Sequence, residues 1–178
     1  MGFFILASAS EGRAQLLKKL GYSFRVLVSN VKEHHLDSPE ETVLVNAVHK
    51  ALAVAKRTDA PVVAADTCVY YSNRIIGKPK SKAAAAKMLK ALCGKWHRVY
   101  TATVISKNKQ LNCSLKSSAV KLLKLSEAEL RSYVASGLPL KRAGGYAIQD
   151  PGIKMVEKID GDVDTVIGID TKLLRQFC

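Results

Sequence analysis

The chain has 178 residues, 48% hydrophobic and 24% charged, so a single domain over 1–178 has enough apolar surface for a core, which argues against disorder. No apolar stretch reaches the roughly 20 residues of a membrane span, and the FFIL run near the start has no basic leader, so the expectation is a cytoplasmic chain without a membrane partner. A net charge of +13, from 28 Lys+Arg against 15 Asp+Glu, attracts polyanions, but dispersed basic residues and only 6% aromatics disfavour nucleic acid against a small polyanion or a solubility role.

Residues 3–7, FFILA, suit a buried strand. The polar SASEGR and the apolar Leu16, Leu17 and Leu20 predict a turn and then a helix, capped by Ser10 and ended by a left-handed Gly21. Backbone N–H groups and hydroxyls at such a junction form a natural phosphate cradle. A second strand is expected over 23–29, then a polar loop with Glu33, His34, His35 and Asp37. Pro39 opens a helix whose buried stripe is Val43, Ala47, Ala51 and Val54, with Lys50 just off it. In PVVAADTCVYY, residues 61–71, the apolar run of a strand ends at Asp66 and Thr67, and a turn at Ser72, Asn73 and Arg74 predicts a hairpin into IIGKP.

An alanine-rich helix is predicted from Ser81 to Leu92, stopped at Gly94, and two or three strands fill 96–125. A capping box at Ser126-Glu127-Ala128-Glu129 starts the next helix, which Gly137 and Pro139 end. AGGYAIQDPG then leads into a helical tail from Val163 to Phe177. The mixture implies an α/β or α+β domain around a twisted sheet. Cys68, Cys93, Cys113 and Cys178 are scattered and read as buried or idle thiols, and His34 and His35 have no Cys at zinc-ligand spacing.

Polar residues follow buried strands at three points: Ser8, Ser10 and Arg13; Asp66 and Thr67; and Lys78. Strand ends followed by loops are where α/β proteins build ligand sites. A nucleoside triphosphate carries about four negative charges and asks for cationic and N–H donors, with carboxylates for the divalent ion that bridges its oxygens. Arg13, Lys50 and Lys78 supply the first class, Glu33 and Asp66 the second. Singly, Arg13 also reads as decoration of a first helical turn, Lys50 and Lys78 as solvated charges, and Glu33 as one loop polar among others. Asp66 differs, because an acid ending VVAAD is costly to bury unless paired, ligated or hydrogen-bonded.

ILASASEGRAQLLKKLG resembles the opening signature of the Maf proteins, a Ser-x-Ser-x-x-Arg turn after the first strand. Further matches follow in order: Glu33, HKALAVA with Lys50, AADTCV with Asp66 and Thr67, IIGKP with Lys78, AAKMLKALCGKWHRVYTA, and SGLPLKRAGGYAIQ with Gln149. The resemblance implies an α/β fold with an elongated mixed central sheet flanked by helices, and two lobes with a cleft, similar to inosine-triphosphate pyrophosphatases. It implies hydrolysis of a nucleoside triphosphate between its α- and β-phosphates with a divalent cation, Mg²⁺ or Mn²⁺. By position, Asp66 is the expected proton acceptor, Glu33 and Asp66 the metal ligands, and Ser8, Ser10, Arg13, Lys50 and Lys78 the phosphate-binding residues.

Gly12, Thr67 and Gln149 occupy the specificity positions, and Thr67 with Gln149 resembles the dTTP/UTP subgroup. Two departures stand near the expected site. Glu11-Gly12 replaces the usual Pro-Arg, and Lys141 replaces an acid in Gly137-Leu138-Pro139-Leu140-Lys141-Arg142-Ala143-Gly144. Near the end, Thr165-Val166-Ile167-Gly168-Ile169-Asp170 replaces Asn-Val-x-Gly-Leu-Pro. The alternative is therefore a nucleotide-binding regulator of septum formation or cell division with weak or no catalysis. A homodimer is left open.

Overall fold

The computed structural model describes residues 2–177, which leaves Cys178 outside the described residues. Seven strands form one sheet in the order β2-β1-β3-β5-β6-β7, with β4 paired to β3. They are β1 Phe4–Leu6, β2 Phe24–Val26, β3 Val62–Tyr71, β4 Arg74–Ile76, β5 Trp96–Lys107, β6 Gln110–Leu122 and β7 Val156–Asp160. The helices are α1 Glu11–Lys19, α2 Pro39–Ala55, α3 Lys82–Leu92, α4 Glu127–Ala135, α5 Val163–Ile167 and α6 Thr171–Phe177. The sheet is mixed: β1 runs parallel to β2 and β3, while β4 pairs antiparallel with β3 and β7 antiparallel with β6. The fold class is thus the α/β one expected. Among the described residues no helix is long and apolar enough to cross a membrane.

The chain divides into two compact units: residues up to Thr67, Tyr100–Lys116 and the segment from Ile167 on; and Cys68–Val99 with Ser117–Val166. The core of the first is built on Phe4 and Leu6 of β1, both fully buried, with Leu17 of α1, Ile105 of β5 and Leu174 of α6. A strand buried on both faces can be continuously apolar, which is why FIL reads as a run rather than an alternation. The second core gathers Leu89 and Leu92 of α3, Val120 and Leu122 of β6, and Leu130 and Tyr133 of α4. Each fully buried Leu contributes about 1.5–3 kcal/mol.

Local signals act where expected. The Ser10 side chain accepts from Arg13 N at the start of α1, and Gly21 past its end has φ +79°. Such a cap is worth about 1 kcal/mol. The capping box of α4 closes in both directions between Ser126 and Glu129. Ser72 and Asn73, at φ +51° and +58°, make the two-residue turn between β3 and β4.

Three features differ from the sequence expectation. The β-rich segment expected over 61–71 is β3, but Asp66 and Thr67, read as following a buried strand, sit within it. Their polar groups are tolerated there because other side chains satisfy them, as described below. β7 was not expected: VEKID carries few apolar residues and pairs only with β6, as an edge strand can. The tail is two helices, broken at Gly168, whose φ of +108° no regular helix accommodates. Asp170 then starts α6, its Oδ1 accepting from the N–H groups of Lys172 and Leu173 at 2.9 and 3.3 Å.

Candidate active site

Within the first unit, α1, the 33–36 loop, α2, β3 and the Gly168 break bring charged groups together. Arg13 lies in the first turn of α1 yet is only 8% exposed, so it does not decorate the surface. Its Nε donates to Gly168 O at 2.6 Å, Nη1 to Ser8 Oγ at 2.8 Å and Ala65 O at 3.0 Å, and Nη2 to Thr67 Oγ1 at 2.9 Å. Four of the five guanidinium N–H groups are thereby committed inside the protein. Burial pulls the Arg13 pKa down, opposed by the Asp66 and Glu33 carboxylates, and a guanidinium stays charged through such a shift.

Gly168 must be glycine for this arrangement. A Cβ there would lie 2.7 Å from Thr67 Oγ1 and 3.1 Å from Arg13 Nε. Thr67 Oγ1 also shares a 2.9 Å hydrogen bond with Thr101 Oγ1 on β5. Ser8 Oγ accepts from Ser10 N at 3.2 Å as well, so both serines serve the β1–α1 turn. Gly12, without a side chain, lies in the first turn of α1.

The second group centres on Lys50, one side-chain amine between two acids. Lys50 Nζ donates to Asp66 Oδ1 at 2.5 Å and to Glu33 Oε1 at 2.7 Å. The Lys50 and Asp66 side chains are each 11% exposed, against 46% for Glu33. Asp66 Oδ2 accepts from Asn46 Nδ2 at 3.1 Å. The expensive burial of an acid at Asp66 is thus offset by an ammonium on one oxygen and an amide on the other. Together, Arg13 and Lys50 balance Glu33 and Asp66 charge for charge.

Glu33 and Asp66 offer hard oxygen donors that converge on one cation, the Lys50 ammonium. That donor set fits Mg²⁺ or Mn²⁺, since Mg²⁺ is ordinarily held by one or two carboxylates together with substrate phosphates. Among the described residues, no group of three or more His, Cys, Asp or Glu side chains forms a metal cage. An ion held here would draw its remaining ligands from water and substrate.

Ser8, Arg13, Glu33, Lys50, Asp66 and Thr67 thus belong to one neighbourhood of the first unit, with Ser10 as its cap. Lys78 and Gln149 belong to the second unit, where both are exposed. Gln149 precedes Asp150, whose buried carboxylate accepts from Tyr133 OH at 2.5 Å and from Arg142 Nη2 at 3.0 Å. Lys141 is exposed. Thr101 lies in the AAKMLKALCGKWHRVYTA match and Gly168 in the Thr165–Asp170 segment, with no role expected for either, and no motif covers Asn46. The signal for Asn46 is its spacing, because Thr42, Asn46 and Lys50 recur every four residues beside the apolar stripe of α2.

A family model described as Maf-like protein matches residues 3–178. The chain belongs to the Maf family. Maf relatives include the dTTP/UTP pyrophosphatase of Gloeobacter violaceus, 41% identical over 96% of this chain and 91% of that protein. The dTTP/UTP pyrophosphatases of Thermotoga maritima and Bacillus anthracis are 40% and 41% identical, over 97% of this chain and 86% and 93% of theirs. Among solved structures, the Staphylococcus aureus Ham1 protein is similar with a TM-score of 0.47 at 20% identity, over 69% of this chain and 73% of that one.

Proposed function

We propose that this Maf chain is a nucleoside triphosphate pyrophosphatase acting on dTTP, UTP or related pyrimidine nucleotides, releasing the monophosphate and pyrophosphate. The observation that carries the reading is the Lys50 ammonium bridging Glu33 and Asp66, two acids that the chain folds together from a loop and a strand. Relatives at about 40% identity over nearly the whole chain that bear the dTTP/UTP pyrophosphatase name support the same activity.

In the proposed reaction the Asp66 carboxylate accepts a proton from water as the water oxygen bonds to phosphorus. The phosphoanhydride bond breaks with its electron pair leaving on pyrophosphate. Glu33 and Asp66 would hold a Mg²⁺ or Mn²⁺ ion, which when bound would supply positive charge against the phosphates. The two Asp66 oxygens already differ in environment, Oδ1 facing Lys50 and Oδ2 facing Asn46, which suits one group to two tasks. Lys50 turns from the acids to the phosphates, and Ser8, Ser10 and Arg13 supply the cradle at the start of α1. Lys78 joins the phosphate set, with Gly12, Thr67 and Gln149 setting base preference, on the strength of their match to the Maf pattern.

The test is pyrophosphate release from a panel of nucleotides with Mg²⁺ and with Mn²⁺, beside an Asp66→Asn control. Release is expected from dTTP and UTP first, with the control slower by about 10²–10⁴-fold. Undiminished turnover in Asp66→Asn removes Asp66 from its role. Absence of turnover with every nucleotide, while binding persists, favours the regulator, a reading motivated by the changes at Gly12 and Lys141.

A further inference from the structure

Asn46 is 2% exposed on α2, one helical turn before Lys50. Its carboxamide makes three hydrogen bonds. Oδ1 accepts from His34 N at 2.7 Å, and Nδ2 donates to His34 O at 3.0 Å and to Asp66 Oδ2 at 3.1 Å. The network itself fixes the orientation of the amide, because the reverse assignment would set donor against donor at His34 N and acceptor against acceptor at the other two. A polar group this buried is costly unless satisfied, and here both amide hydrogens and the oxygen have partners.

The partners matter more than their number. His34 is the residue after Glu33, so one side chain grips the backbone beside one acid of the site and the carboxylate of the other. One turn earlier, Thr42 treats the loop in the same way. Its Oγ1 accepts from Leu36 N at 3.0 Å and donates to Leu36 O at 3.2 Å. The backbone groups of His34 and Leu36 are thereby paired with α2 side chains as they would be with a neighbouring strand. Thr42 holds only the loop, whereas Asn46 alone of the two also reaches Asp66.

We propose that Asn46 is a positioning residue of the site, fixing the Glu33 loop and the Asp66 carboxylate relative to each other and so setting the spacing of the two acids around Lys50. The inference rests on the pyrophosphatase reading for its catalytic consequence, but its geometric content does not require turnover. Groups that orient metal-binding and catalytic carboxylates commonly change affinity or rate by about 10–100-fold when removed.

The experiment compares Asn46→Leu, Asn46→Asp and Thr42→Val in the full chain. Three readouts are taken: Mn²⁺ affinity without nucleotide, amide hydrogen exchange at His34 and Leu36, and kcat and KM for dTTP. Asn46→Leu is expected to expose the His34 amide, weaken Mn²⁺ binding about tenfold or more and lower kcat by about 10–100-fold, with KM for dTTP changed far less. Thr42→Val is expected to free the Leu36 amide with a much smaller loss in kcat, since Asp66 keeps its partner. Asn46→Asp keeps an acceptor for His34 N–H but sets a like charge against Asp66, so it retains His34 protection while losing kcat. Should Asn46→Leu not fold, the Asn46→Asp and Thr42→Val pair carries the same comparison. Equal kcat losses in the Asn46 and Thr42 variants, or unchanged Mn²⁺ affinity and kcat in Asn46→Leu, overturn the proposal. If the wild-type chain releases no pyrophosphate, the functional reading falls, and the Mn²⁺ and exchange measurements still decide on Asn46.

Discussion

Replacing Arg13 by Met tests whether the guanidinium is a structural hub, apart from the phosphate-binding role proposed for it. The side chain is buried and makes four hydrogen bonds of 2.6–3.0 Å to Gly168, Ser8, Ala65 and Thr67. Two hydroxyls keep other partners: Ser8 Oγ still accepts from Ser10 N, and Thr67 Oγ1 still meets Thr101. The Gly168 and Ala65 carbonyls lose a charged donor, at about 1–3 kcal/mol each. Asp66 and Glu33 lose one of two balancing cations, while relief from burying the guanidinium offsets part of the loss. The net cost is about 3–4 kcal/mol, in the range for breaking a buried charged contact. For a domain of this size that is roughly 6–16 °C in Tm. Thermal unfolding followed by circular dichroism, without nucleotide, reads the effect. Lys56→Ala, at an exposed position, is the control and should stay within about 0.5 kcal/mol of wild type. Arg13→Met should also weaken dTTP affinity more than the control does. A Tm within about 2 °C of wild type refutes the hub, since that shift corresponds to about 1 kcal/mol at most.

Two further outcomes follow from the charged and titratable groups. Lys50→Met removes the cation that Glu33 and Asp66 share, so nucleotide-free protein should bind Mn²⁺ about tenfold more tightly, or better, in a paramagnetic titration, even as turnover falls; unchanged affinity means the two acids do not form one cation site. His97, hydrogen-bonded to Tyr146 OH at 2.6 Å, has its pKa pulled down by burial to about 4, so the unfolded chain takes up a proton near pH 6.5 that the folded one refuses. Stability is therefore lost as pH falls from about 6.5 to 4, by about 3 kcal/mol at most, and a His97→Gln chain should lack that slope in urea melts taken across the window.

What the sequence made readable is what short spacing determines. Ser10, the Ser126–Glu129 box and Gly21 act through bonds within a few residues, so type and spacing suffice. Glu33, Lys50 and Asp66 were readable as motif positions, but their convergence on one ammonium depends on a loop, a helix and a strand that no local pattern relates. The polar pair Asp66-Thr67 looked like a strand end because an unsatisfied acid does not belong mid-strand; Arg13, Asn46, Lys50 and Thr101 satisfy the pair there. The break in the tail had a visible cause in Gly168, yet the need for glycine comes from Arg13 and Thr67, about 155 and 100 residues earlier in the chain. β7 hid because an edge strand needs little apolar alternation.

The charge balance of the cluster constrains how any triphosphate can be accepted. Arg13 and Lys50 neutralise Glu33 and Asp66, so the group has no surplus cation to offer a polyphosphate as it stands. A triphosphate brings about four negative charges and one divalent ion returns two, leaving a deficit of about two positive charges. Arg13 cannot cover it alone, with four of its five N–H groups already committed. Lys50 can turn to the phosphates only by leaving the two acids, and that move leaves the total unchanged, because its charge is already counted in the balance. Were a divalent ion held by Glu33 and Asp66, it would replace the ammonium as their counter-charge, so ion binding and the turn of Lys50 proposed above would be coupled. The deficit of about two positive charges must therefore be met from outside the cluster; Lys78, proposed above as a phosphate ligand, would supply one, and the chain as a whole carries +13.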